Sequence, residues 1–317
     1  REQRRGGNKG NAFSSANHAV VKHTQLQQKL KTHLAAMGFI APSAIFLGVF
    51  VFYPLVKTVY YSMFLTNALG QPVKFIGLSN YGTLLQDKFF MKSLLTTFIF
   101  VFMVTLLTTV SALALAMVTS KHLKGTTLFR TFFASTMGVS VSVASVLWLF
   151  IFQPTTGVSD MVLNLLHLPP IHWLTVNTWS LFAVILTVVW MNLGFSFLAL
   201  TGALENVATP LYEVADIEGV TTWHKFYHIT LPQISPTLFF VGTVTMINAF
   251  QTFGQVDLLT KGGPNNSTNL IVYQIYKDAF VNLNVGKAST ESIVLALLIA
   301  LVTMAQFKLT EKRVMYQ

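Results

Sequence analysis

The segment Glu213-Val-Ala-Asp-Ile-Glu-Gly219 is followed, after nine residues, by Ile229-Thr-Leu-Pro232, and this polar stretch lies between two long apolar segments. Four of the chain's 11 acidic residues fall in or beside it: Glu205, Glu213, Asp216 and Glu218. Such a concentration of charge in an apolar chain is typical of a loop in water. We therefore predict that this loop presents a shaped surface to another protein.

Within this polar loop, which we take as residues 205–231, the sequence predicts two short helices. Thr209 can cap the first helix, and Pro210 suits its first position. Gly219 fits the left-handed residue that follows a helix, a conformation that strains other residues. The second helix, which Thr221 or Thr222 can cap, would carry three aromatic side chains near its middle: Trp223, Phe226 and Tyr227.

Two interpretations of the polar loop remain open on these residues alone. The loop can dock onto a protein partner, or it can lie on the lipid surface as an amphipathic helix, which its aromatic residues also suit. His224 and His228 are spaced like a metal-ligand pair, but no cysteine or third histidine lies near them in sequence. We therefore predict no metal site.

The composition is typical of a membrane protein. Of 317 residues, 53% are hydrophobic and only 10% are charged, whereas soluble domains have roughly 25% charged residues. A spanning helix needs about 20 mainly apolar residues. The charge-free segments predict six transmembrane helices, placed near 33–56, 93–120, 131–153, 178–202, 232–256 and 292–307, and residues 288–290 can extend the last.

Lysines and arginines indicate the orientation. With the N-terminus in the cytoplasm, that side has fourteen of them and the outer side seven, which agrees with the positive-inside rule. Seven of the fourteen lie in residues 1–31, which we expect to be a disordered, basic cytoplasmic tail, whereas residues 32–317 form one membrane domain. Topology and contact with anionic lipid explain the net charge of +10 better than nucleic-acid binding does.

The chain has no energy source of its own. It contains no Gly-x4-Gly-Lys-Ser/Thr loop for nucleotide phosphates, so we predict that it is not an enzyme and binds no cofactor. The predicted spans also have no Asp, Glu, Lys or Arg near mid-membrane, where proton- or sodium-coupled carriers keep ionisable groups. This favours a partner as the source of energy over a self-powered carrier, although backbone carbonyls can also hold sodium.

Uncharged polar residues within the fourth and fifth spans are candidates for a solute pathway. Amide and hydroxyl groups among aromatic rings can hydrogen-bond a polyhydroxyl solute, but the same groups can also join helices in lipid. Three of the residues recur on one face of a helix in span five, at i, i+4 and i+7. The candidates are Asn192 and Ser196 in span four, and Asn248, Gln251, Thr252 and Gln255 in span five.

The spacing Glu213-Val-Ala-x3-Gly219-x9-Ile229-x-Leu-Pro232 resembles the signature of ATP-binding-cassette (ABC) importer permeases, with Val214 in place of an alanine. Further features resemble the carbohydrate branch of that family, and the end of the chain is similar to its glycerol-3-phosphate permeases. These features include Tyr53-Pro54, Gly77-Leu-x-Asn80-Tyr81, Trp148 with Pro154, Thr260-x-Gly-Gly-Pro264, Tyr276 and Phe280.

The resemblance implies an all-α protein of the bacterial cytoplasmic membrane with both termini in the cytoplasm. Its partners would be a second permease, two ATPase subunits that bind ATP and Mg²⁺, and an extracytoplasmic solute-binding protein. The polar loop between spans four and five would dock into an ATPase as a coupling helix. The residues implied in this contact are Glu213, Ala215, Gly219, Trp223, Ile229, Leu231 and Pro232.

The sequence therefore favours one permease subunit of an ATP-driven importer for a sugar or a glycerol-3-phosphate-like solute. Two alternatives are a self-sufficient carrier or facilitator and a membrane scaffold that docks a cytoplasmic partner. The absence of Lys and Arg from the predicted spans favours a neutral sugar, although a partner permease could supply the positive charge that a phosphate needs.

Overall fold

The structure is a computed structural model that describes residues 36–67, 69–120 and 126–310. The predicted tail at 1–31, the segment 121–125 between spans two and three, and the end of the chain from residue 311 lie outside these residues. The chain divides into two compact units, residues 1–58 and 59–317.

The architecture is an all-α membrane protein, as predicted. Among the described residues, five helices are long and apolar enough to cross a membrane. A bent pair, in which the two helices meet at 111°, makes the sixth span if it is counted as one. We name the spans in chain order: Ala36–Ser62, Lys88–Thr119, Thr127–Gly138 with Val141–Ile151, Asn177–Glu205, Thr222–Phe250 and Val285–Lys308.

Shorter elements connect the spans. Span one contains a π-helical turn, Gly48–Phe52, before Tyr53–Ser62. An antiparallel pair of strands, Phe64–Thr66 and Pro72–Phe75, follows it. The other elements are the helices Ser79–Gln86, Thr126–Ala134, Val158–Leu165, Thr209–Ile217, Thr222–Lys225, Leu231–Phe250, Gly254–Leu259, Ile271–Tyr276 and Val285–Thr310, the 3-10 turn Ser135–Gly138, and the π-helical turns Phe226–Thr230 and Lys277–Val281.

Spans two and four form the centre of the packed unit. Both are apolar along nearly their whole length, so a one-sided apolar pattern does not mark the contact face. Lipid gives no hydrophobic drive for helix association, so these helices are held together by close packing. Small and β-branched residues at the contact let them approach closely. The buried contacts include Ala112 and Ala116 with Phe197 and Leu200, and Val104 with Val184 and Val188.

Gly194 lets span three pack directly against span four. A Cβ atom at this position would lie 2.6 Å from the carbonyl oxygen of Phe133 and would also collide with the Thr136 hydroxyl. A backbone oxygen cannot rotate away from a new methyl group, so the helices would have to separate.

Replacing Gly194 with alanine should therefore destabilise the protein by about 1–3 kcal/mol, the usual cost of overpacking. Gly202→Ala is the matched control on the same span, because a Cβ there meets no atom within 4 Å. Thermal unfolding in detergent should show a lower midpoint for Gly194→Ala only. Equal midpoints for the two variants would contradict the close contact.

Two of the predicted spans are interrupted, which is a correction to the continuous helices expected at 131–153 and 232–256. Span three breaks after Gly138, and the hydroxyl of Ser140 accepts a 3.3 Å hydrogen bond from Val143 N–H, which caps the second half. In span five the helix ends at Phe250 and resumes at Gly254. Backbone that leaves the helix at membrane depth must be buried in protein or line a cavity, where its polar groups find partners.

The last span begins earlier than the predicted residue 292, or 288 with its extension, so two charged residues lie in its first two turns. Lys287 and Glu291 are one helical turn apart, and the Lys287 Nζ lies 3.9 Å from Glu291 Oε1. The expectation of charge-free spans is therefore wrong at this end of the helix, although Glu291 lies well before its middle.

At the far end, which we define as the end opposite the polar loop, Lys287 joins three chain segments. Its Nζ lies 2.9 Å from Asp87, just before span two, and 3.1 Å from Asp278 in the π-helical turn. Burial favours the neutral form of Asp278. Hydrogen bonds from Asn282 and Gln274, together with Lys287, nevertheless hold its pKa below the usual 3.8.

Removing this cation with Lys287→Met should lower the free energy of unfolding at neutral pH by roughly 2 kcal/mol, since it leaves the buried Asp278 carboxylate without its cation. Because the pKa of Asp278 is depressed in the folded state, its ion pair stabilises the protein above pH 3.8 and is lost as the pH falls through the folded pKa. The difference between variant and wild type should therefore shrink in acid. Lys277→Met, which removes a lysine that forms no ion pair with another described residue, is the control, and a pH-independent difference would contradict the assignment.

Candidate coupling loop and membrane cavity

The first half of the polar loop is the helix Thr209–Ile217. Pro210 lies in its first turn, as predicted, where the missing N–H leaves no helical hydrogen bond unmade. The cap residue is Ala208 rather than Thr209, and no side chain caps this end. The prediction of a Thr209 cap is therefore wrong by one position, because the threonine has already adopted helical geometry.

Gly219 ends this helix in the predicted left-handed conformation, with φ of +68°. The N–H of Val220 donates to the carbonyl of Ala215 at 2.9 Å, and the N–H of Gly219 donates to the carbonyl of Asp216 at 3.1 Å. This pair of bonds is the Schellman motif, which satisfies the last carbonyls of a helix and turns the chain sharply. The turn therefore depends on the backbone freedom of Gly219.

The second half of the polar loop begins at a threonine cap, as predicted. The Thr221 hydroxyl accepts a hydrogen bond from the His224 N–H at 3.4 Å. The helix that follows is not a separate short helix, however, because it continues without a break into span five, Thr222–Phe250. Pro232 has no N–H to donate to the preceding turn, and the wider π-helical turn Phe226–Thr230 lies just before it.

Polar contacts fasten the two halves of the polar loop to each other. Lys225 forms an ion pair with Asp216 across the turn. The Tyr212 hydroxyl lies 2.8 Å from the Thr230 hydroxyl, so the first helix is also tied to the start of span five. The first helix is therefore joined to the start of span five by two polar contacts.

The polar loop exposes an apolar surface, of which only the aromatic residues were predicted from the sequence. Trp223 is 71% exposed and Ile217 86% exposed, although both are large and apolar. Leu211, Val214 and Ile217 recur every three residues, a spacing from which this exposed face could have been predicted. We call the surface formed by Leu211, Val214, Ile217, Trp223 and Tyr227 the loop ridge.

The seven predicted coupling residues are not all at the surface. Glu213, Gly219 and Trp223 are exposed, whereas Ala215 is buried beneath the ridge. The other three, Ile229, Leu231 and Pro232, are half-buried where the loop joins span five. The histidines predicted not to bind metal, His224 and His228, stack with ring centroids 3.8 Å apart.

A cavity of about 360 Å³ lies where the two interrupted spans meet the middle of span four. Its wall includes the breaks after Gly138 and after Phe250, so the irregular backbone lines a cavity, as it must at membrane depth. We call it the membrane cavity. Its lining residues are Thr136, Met137, Val139, Val141, Val188, Met191, Asn192, Asn248, Gln251, Thr252, Phe253, Gly254 and Gln255.

Five of the six predicted pathway residues line the membrane cavity: Asn192, Asn248, Gln251, Thr252 and Gln255. They do not share one face of a continuous helix, since the helix ends between Asn248 and Thr252. Ser196 is fully buried and does not line the membrane cavity. Span three touches span four at Gly194, between Asn192 and Ser196, and this contact explains why only one of the two is accessible from the cavity.

The Asn192 amide donates an ordinary hydrogen bond to the Val188 carbonyl at 2.9 Å, whereas two other amides of the membrane cavity donate long or weak ones. Asn248 Nδ2 donates to Asn192 Oδ1 at 3.5 Å, at the limit of a useful bond. Gln255 Nε2 donates to the sulfur of Met191 at 3.2 Å, and a thioether is a weak acceptor. These amides can exchange such partners for the hydroxyl groups of a solute at little cost.

The contribution of span three to the membrane cavity was not predicted from the sequence. Met137, Val139 and Val141 lie in an apolar run with no amide to mark them, and only Gly138 and Ser140 hint at the break. Gly254 was also missed, although a Cβ there would lie 2.7 Å from Val141 Cγ1, so it allows the two breaks to meet.

Comparisons with known proteins agree on one family. The model of the family described as "Binding-protein-dependent transport system inner membrane component" matches residues 111–316. The sn-glycerol-3-phosphate transport system permease protein UgpA of Agrobacterium fabrum is 32% identical over 280 residues, covering 87% of this chain and 94% of that protein. The protein of the same name from Brucella abortus is 33% identical over 280 residues, with coverage of 87% and 94%.

Solved structures show the same fold. A chain of a bacterial ABC transporter involved in the import of the acidic polysaccharide alginate matches with a TM-score of 0.78 at 21% identity, covering 91% of this chain and 99% of that one. A chain of a bacterial alginate ABC transporter in complex with an alginate pentasaccharide-bound periplasmic protein matches with a TM-score of 0.77 at 20% identity, covering 90% and 96%. The chain thus belongs to the family of binding-protein-dependent transport system inner membrane components, and it is a non-enzymatic, multi-pass permease subunit of an ABC importer.

Proposed function

We propose that this permease forms, with a second permease, the pathway for a carbohydrate-like solute, and that two ATPase subunits drive it through the polar loop. A solute-binding protein would deliver the solute on the opposite side. Both termini and the polar loop would lie in the cytoplasm, which agrees with the excess of Lys and Arg there. ATP and Mg²⁺ would be bound by the ATPase subunits, and this chain would contribute no ligand to them.

One observation carries the proposal: a single helix, Thr222–Phe250, runs from the loop ridge to the edge of the membrane cavity. At 1.5 Å per residue, its 29 residues extend about 43 Å. The first loop helix is bonded to its beginning, and Asn248 lines the cavity near its end. An ATPase that moves the ridge would therefore change the shape of the cavity.

The exposed apolar area of the loop ridge favours a protein partner over a lipid surface. Its isoleucine lies between Asp216 and Glu218 in sequence, and an apolar anchor with charged residues beside it is typical of protein interfaces. Three acidic residues so close together, Glu213, Asp216 and Glu218, would also be repelled by anionic lipid. Lipid would instead surround the apolar spans.

The chemistry of the membrane cavity suits a neutral polyhydroxyl solute. Its lining has amides, hydroxyls, two methionines and one phenylalanine, and no ionisable side chain is among the lining residues. The named relatives are glycerol-3-phosphate permeases, but a phosphate is bound most strongly by a cationic side chain, and none is among the residues that line this cavity. We therefore assign a sugar, with glycerol-3-phosphate as the alternative if the second permease supplies the charge.

Copurification tests the proposed assembly. Tagged chain, coexpressed with the transporter genes beside its own, should bring down a second permease and an ATPase. Trp223→Ala should retain the second permease and lose most of the ATPase, because a buried tryptophan anchor contributes about 2 kcal/mol or more to an interface. Trp179→Ala, which removes a 39% exposed tryptophan from the far end, should lose neither. A wild-type chain that purifies alone would contradict the proposal.

A further inference from the structure

An aromatic ladder connects the surface of the far end to the membrane cavity. Phe280 is 72% exposed, and its ring centroid lies 5.5 Å from that of Tyr276. The ring of Tyr276 lies 4.9 Å from that of Phe253, which lines the membrane cavity in the break of span five. We call Phe280, Tyr276 and Phe253 the far-end ladder.

The ladder is held in place from behind. Tyr273, only 6% exposed, packs beneath it at 6.0 Å from Phe253 and 6.2 Å from Tyr276. Asp278, two residues before Phe280, is buried and accepts hydrogen bonds from Gln274 at 2.8 Å and Asn282 at 2.7 Å. These contacts hold the segment that carries the outer rings on its inner side, so binding needs to order little backbone.

We propose that the far-end ladder is a binding track for the pyranose rings of an oligosaccharide, which leads from the far-end surface to the membrane cavity. This inference rests on the proposed function of the cavity as a solute pathway. The face of a pyranose ring presents C–H groups with partial positive charge, and an aromatic face carries partial negative charge, so the two stack. The Tyr276 hydroxyl adds a hydrogen-bonding group beside the stack.

The same chemistry discriminates between the candidate solutes. Glycerol-3-phosphate has no ring to stack, and its anionic phosphate is repelled by an electron-rich aromatic face. A membrane interface also attracts aromatic residues. The ladder continues inward, however, to a ring in the wall of the membrane cavity, and a residue that only anchored the protein in lipid would not need this continuity.

The test uses tryptophan fluorescence in the complete permease–ATPase complex without binding protein. In a Phe280→Trp variant, maltotriose should quench the new tryptophan in a saturable way, and sn-glycerol-3-phosphate should not. Because stacking depends on the ring face and tolerates different sugars, we expect quenching by maltotriose whichever sugar the importer carries. Adding Tyr276→Ala should weaken the maltotriose affinity at least fivefold.

Phe75→Trp is the matched control, since Phe75 is also an exposed aromatic residue, 63% exposed, in the strand pair that follows span one. No quenching of the Phe280→Trp variant, or equal quenching by both solutes or at both positions, would overturn the inference. If the Phe280 ring contacts only the binding protein or lipid, maltotriose will not quench the Phe280→Trp variant. Failure of the proposed function is separate, because it would appear as a chain that purifies without an ATPase.

Discussion

Replacing Gly219 with valine is expected to abolish ATP-driven uptake while leaving a normal amount of the protein in the membrane. The backbone at Gly219 has a φ of +68°, which a β-branched residue adopts only with strain. A Cβ atom there would meet nothing within 4 Å, so the cost comes from the backbone and not from a collision. The Schellman turn would open, and the two halves of the loop ridge would lose their relative positions.

Gly219→Asn is the matched control for this variant, because asparagine tolerates the left-handed conformation far better than valine does. It should retain most of the uptake, whereas valine should reduce it at least tenfold. Uptake and membrane content should be measured on the same vesicles. Normal uptake by the valine variant would show that the shape of this turn does not matter for coupling.

Replacing Asn192 with leucine is expected to lower uptake at least tenfold without preventing assembly of the complex. Leucine has the same branched arrangement of side-chain heavy atoms, but the membrane cavity loses an amide and Asn248 loses its partner at 3.5 Å. Gln255→Leu should act in the same way, since it removes a donor that is held only by the sulfur of Met191, and so should Thr252→Leu.

Ser196→Ala provides the control for the cavity, because Ser196 is one turn further along span four and is fully buried outside the cavity. It should leave uptake nearly unchanged. The comparison also separates the pathway from helix adhesion. If Asn192→Leu disrupts the complex, or if both variants lose uptake equally, the polar residues of span four join helices and do not contact solute.

Local signals predicted the polar loop better than they predicted the membrane cavity. Gly219 and Thr221 could be placed because a helix end and a helix cap depend on one residue and its nearest neighbours. The continuity of the second loop helix with span five could not be predicted, because Pro232 is equally compatible with a new helix and with a widened turn in an existing one.

The interrupted spans were missed for a different reason. Hydropathy measures how apolar a segment is, and segments 131–153 and 232–256 remain apolar through their bends. The breaks depend on contacts between distant residues, such as the approach of Gly254 to Val141. The start of span six was misplaced because Lys287 and Glu291 lie together at the far end and join three segments there.

Uptake by reconstituted vesicles tests most directly whether this chain is a pathway subunit that depends on ATPase partners. Vesicles that contain the chain, its second permease, the ATPase and the binding protein should take up solute only when ATP is supplied to the ATPase side. Vesicles with the purified chain alone should take up none. Solute uptake by the chain alone, without ATP, would contradict the account.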